Sequence, residues 1–98
     1  MAFVDNYDFY LLKNEAEQLV LSELEKQLAN VSSEVCLCNE CVVDMAANAL
    51  NSVKPLYRFS LLGALYATNA MNDKEYANSL QFAVGQAIAK VSSNPGHD

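Results

Sequence analysis

Residues 72–91 read Asn-Asp-Lys-Glu-Tyr-Ala-Asn-Ser-Leu-Gln-Phe-Ala-Val-Gly-Gln-Ala-Ile-Ala-Lys-Val. Tyr76, Leu80, Ala83, Val84, Ala87, Ile88 and Val91 return at three- and four-residue steps, so they line one face of a helix of about four turns. Asn72 followed by Glu75 has the form of a capping box that would start it. Phe82 and Ala89 fall off this face. That leaves two readings for Phe82, a contact between subunits or a less favourably placed core residue.

Working outward, Ala16, Leu19, Val20, Leu24 and Leu28 repeat the same period, which predicts a first helix from Asn14 to about Ala29 with Asn14 and Glu17 as its capping box. Glu15, Glu17, Glu23, Glu25 and Lys26 occupy the opposite, solvated face and are assigned no chemistry. Asn30 to Glu34 is polar and reads as a turn. A second helix, Asn39 to Ser52, follows from Val42, Met45, Ala46, Ala49 and Val53, and Pro55 stops it because proline disfavours helical dihedrals at Lys54. Leu56 to Ser60 alternates bulky and polar residues, as an extended segment does, and Leu61 to Met71 reads as a third helix weakened by Gly63. The expected fold is all-α: about four helices in a single domain spanning 1–98, with an ordered core of about 8–92 and loose ends at 1–6 and 93–98.

Composition narrows the function. Ninety-eight residues, 52% apolar and 18% charged, form one small core, and a chain this short is marginal by itself, so a homodimer is expected. The net charge of −6 argues against direct DNA binding, because phosphate contacts need a basic surface. Residues 1–44 hold nine acids and two bases, whereas 45–98 hold three acids and four bases, so an anionic ligand should prefer the second half. No apolar run has the length of a membrane span, and acids stand where a signal peptide needs bases, which places the chain in the cytoplasm. The sequence has no Gly-rich phosphate loop, no His-Glu-x-x-His and only one histidine, so no enzyme is expected.

Chemical content is concentrated in Cys36-Leu-Cys38-Asn-Glu-Cys41. Thiolates two or three residues apart can converge on one zinc ion, and the start of a helix, where Cys38 and Cys41 fall, favours thiolate over thiol. A closed zinc site takes four ligands. The fourth could come from His97, from Glu40 or Asp44, from a second subunit or from water. Three cysteines fall short of the four that an iron–sulfur cluster usually takes. Cys-x-x-Cys spacing also leaves thiol-redox chemistry open, and cysteines can serve simply as small buried hydrophobes.

Cys36-x-Cys38-x-x-Cys41, followed by Asp44, Ala47, Leu50, Asn51, Pro55 and Tyr57 and preceded by an acidic helix ending in Leu24 and Leu28, resembles the late competence development protein family, ComFB. The resemblance covers roughly 14–92. It implies a small helical homodimer whose cysteines bind zinc, encoded among competence functions. It also implies, from some members, a receptor for cyclic dinucleotides such as cyclic di-GMP or cyclic di-AMP that passes the signal to a protein partner. Such a ligand needs cations for its phosphates and flat side chains for its bases. Lys54, Tyr57 and Arg58 are the candidate set; otherwise they are two surface charges and a packing residue. The competing expectation is an interaction module supporting competence or pilus assembly without any nucleotide.

Overall fold

The computed structural model describes residues 2–59, 65, 68–69 and 72–95. Among these, the long elements are α1 (Ala16–Leu28), α2 (Asn39–Leu50) and α3 (Lys74–Ser93). Two short strands, β1 (Lys13–Asn14) and β2 (Tyr57–Arg58), pair antiparallel with Lys13 opposite Arg58 and Asn14 opposite Tyr57. Two 3-10 turns, Phe3–Asn6 and Phe9–Leu11, precede them. The chain is therefore mostly helical with a small sheet, not purely α. The extended segment expected at 56–60 supplies one strand. The third helix expected at 61–71 lies almost entirely outside the described residues, as does His97.

The apolar stripes explain how the helices meet. α2 makes its widest contact with α3 and a narrower one with α1, and α1 and α3 touch as well. Val20 and Leu24 of α1, Met45 and Ala49 of α2, and Val84 and Val91 of α3 bury their side chains together. Leu56 closes the end of this core just before β2. Each contributing residue lies on the face that the three- and four-residue spacing marks, so helix period alone accounts for the burial pattern. Among the described residues, no helix is long and apolar enough to cross a membrane.

Both capping boxes need correction. α3 begins one residue later than Asn72 implies, because the Asp73 carboxylate accepts the Glu75 N–H at 2.9 Å and so takes the cap position. α1 starts at Ala16 with Glu15 before it, and Asn14 stands outside the helix. The Asn14 side chain still accepts the Ala16 N–H at 3.1 Å, but it accepts the Leu56 N–H at 2.8 Å as well, so it ties the helix start to the far strand. α2 ends at Leu50, two residues early, where Asn51 keeps helical dihedrals and its N–H reaches the Ala47 carbonyl.

Candidate metal centre

The polar turn after α1 brings the chain back to the core through Val31, Val35 and Cys36, which pack partly against it. α2 then starts at Asn39 with Cys38 as its cap: the Cys41 N–H donates to Cys38 Sγ at 3.4 Å. The i, i+3 relation places Cys38 and Cys41 on one side of the first turn, and Cys36 joins from the extended link. The three sulfurs lie within 4.8 Å of one another. Cys41 is buried, Cys36 half-buried and Cys38 exposed, so the group opens from the core to the surface.

That geometry suits a thiophilic ion. Tetrahedral zinc with sulfurs at about 2.3 Å sets neighbouring sulfurs about 3.8 Å apart, inside the 4.8 Å that bounds the spacing here. Burial, followed by hydrogen bonding and repulsion from Cys36 and Cys38, pushes the Cys41 thiol up to about 12. Hydrogen bonds from the Cys38 backbone, then from the Cys38 and Cys41 side chains, hold the Cys36 thiol below its ordinary value. Three sulfur donors at the positively polarised end of a helix would hold zinc as thiolates. Among the described residues, neither Glu40 nor Asp44 is part of the group. Both are exposed on α2, where Asp44 accepts from Asn48.

Lys54, Tyr57 and Arg58 are placed less closely together. Tyr57 and Arg58, on β2, line a cleft of about 630 Å³ with Tyr10, Lys13 and Gln18. Lys54 is exposed and is not part of that lining; its carbonyl accepts the Tyr76 hydroxyl at 3.0 Å. Arg58 forms an ion pair with Glu15, an acid that the sequence pattern assigns to the solvated face. Sequence reasoning missed this pair, and it missed Tyr10 and Lys13 as lining residues. Only the strand pairing, which joins residues more than 40 positions apart, brings them to the cleft. Phe82 is 69% exposed, which removes its core reading, and Ala89 is exposed beside it.

A family model described as "Late competence development protein ComFB" matches residues 13–95. Among solved structures, the late competence protein ComFB from Bacillus subtilis matches with a TM-score of 0.72 and 25% identity, over 87% of this chain and 92% of that one. No curated protein matches. The matched span takes in the strand pair, all three described helices and the cysteine trio, somewhat more than the 14–92 expected from the motifs. The chain belongs to the ComFB family of late competence development proteins.

Proposed function

We propose that this competence-related protein is a zinc-binding, non-catalytic regulatory adaptor that acts as a homodimer in the cytoplasm, the reducing compartment in which free thiols persist. The observation that carries the metal reading is the convergence of Cys36, Cys38 and Cys41 at the start of α2. Zinc there would be structural: it would join the link after α1 to the first turn of α2, with the fourth position taken by His97, by a second subunit or by water. Elemental analysis of purified protein should find close to one zinc per chain. Metal-free protein with its helices intact would overturn this reading. Alkylation of the three thiols before and after chelation separates it from thiol-redox chemistry, in which the cysteines react equally in both cases.

A second reading, reception of a cyclic dinucleotide, draws on the cleft beside β2. Its volume is within the range of small-molecule sites, and it offers Tyr57 and Tyr10 as flat surfaces with Lys13 and Arg58 as cations. Glu15 would have to release Arg58 before that cation reached a phosphate. Calorimetry with cyclic di-GMP and cyclic di-AMP should give binding at tens of micromolar or tighter. Absence of heat would leave the interaction module, whose protein partner would bind indifferently to nucleotides.

A further inference from the structure

Residues 2–12 include the two 3-10 turns, and neither turn buries a single side chain. Their rings pack on each other instead: Phe3 lies 4.9 Å from Tyr7 and 5.9 Å from Phe9 between centroids, and Tyr7 lies 6.0 Å from Phe9. Phe9 and Tyr10 also line the cleft that Tyr57 lines, and Phe59 follows two residues further along. Tyr10 is 90% exposed, and Phe3, Tyr7, Tyr57 and Phe59 are each 60% or more exposed. With aromatic side chains of roughly 200 Å² each, these six rings leave on the order of 800 Å² of mainly apolar surface in water. The largest such patch on an ordinary monomer is about 300–600 Å², whereas one side of a standard protein–protein interface covers about 800 Å².

From this we infer that residues 3–12 together with Tyr57 and Phe59 are the face through which two copies of the chain associate. The inference rests on the homodimer reading proposed above and gives it a location. A second copy is the occupant that the patch favours. It is present at the same concentration as the surface it covers, and the exposed area matches one side of a standard interface. The patch also carries both signs of charge, with Asp5 and Asp8 on the turns and Lys13 on β1, so a two-fold arrangement can set the acids of one copy against the lysine of the other. An anionic lipid surface fits poorly, because Asp5 and Asp8 stand among the rings in a chain of net charge −6.

Light scattering of the full chain is the test. The native protein should elute at twice its 10.8 kDa chain mass, and Tyr7→Glu/Tyr10→Glu should halve that mass with an unchanged far-UV spectrum, since neither side chain is buried. Phe82, 69% exposed on α3, is the competing subunit contact, a single ring against six, and Phe82→Glu should leave the dimer intact. A Tyr7→Glu/Tyr10→Glu protein that remains dimeric overturns the inference while the homodimer stands, and so does dissociation by Phe82→Glu alone. A native protein eluting at 10.8 kDa overturns both.

Discussion

Asn14 satisfies two backbone donors with one oxygen: the Ala16 N–H at 3.1 Å and the Leu56 N–H at 2.8 Å. Both bonds are partly buried, so Asn14→Ala would leave two donors without their acceptor and cost about 1–3 kcal/mol. In urea the unfolding midpoint should fall accordingly, and Asn14→Asp, which keeps an oxygen in place, should recover much of the loss. An Asn14→Ala midpoint equal to the native one would show that water replaces the side chain there. Half of this role was legible in advance, because an asparagine before an apolar helical stripe accepts a nearby N–H. The other half was not, since Leu56 lies 42 positions away and carries no local signal of its partner. The cysteines were legible for the opposite reason: all three fall within six positions, so local geometry suffices to bring them together.

α3 owes its register to its apolar stripe, yet it carries a glycine in its interior. Gly85 has an ordinary helical φ, and a Cβ built there would meet Gln27 Oε1 at 3.5 Å, an ordinary contact distance. Gly85→Ala should therefore raise stability by about 0.5–1 kcal/mol, the usual helix-interior difference, read as a higher thermal midpoint. A lower midpoint would mean that the new methyl disturbs Gln27, whose amide donates to Glu23 Oε2 at 2.8 Å and to the Gln81 carbonyl at 3.1 Å and so links α1 to α3. The helices were readable because their period repeats over several turns. The cap of α3 moved from Asn72 to Asp73 because adjacent residues of similar capping strength compete, and pattern cannot choose between them. The alternation at 56–60 marks an extended segment, but its pairing with β1 is two residues long on each side and has no local signal.

Across the whole molecule, the cysteine trio connects the link after α1 to the helix that makes the widest contact in the core. Metal removal should therefore act beyond the turn itself. Chelation, or Cys38→Ser, should lower the thermal midpoint by several degrees and increase binding of an apolar dye, because metal-binding free energy adds to folding free energy. A midpoint unmoved by chelation in protein that does contain zinc would make the ion peripheral to the fold. Periodicity foretold a mostly helical fold, but not where its surface is most apolar: Phe3 falls in the loose end expected at 1–6, Tyr7 and Phe9 lie beyond it, and only their clustering in space sets them apart.

The clasp between β1 and β2 also has a bearing on the order of events during folding. Glu15 donates to the Leu56 carbonyl at 2.8 Å, and this bond with its neighbours closes a loop holding α1 and α2 but leaving α3 outside. Closing some forty residues costs about 3 kcal/mol of chain entropy, which two residue pairs recover only after the helices they bracket have docked. The ladder then forms late and opens early, so the amides of Glu15 and Leu56 should exchange with solvent ahead of those in α2. The cleft could thereby open and reclose while the helical core stays closed.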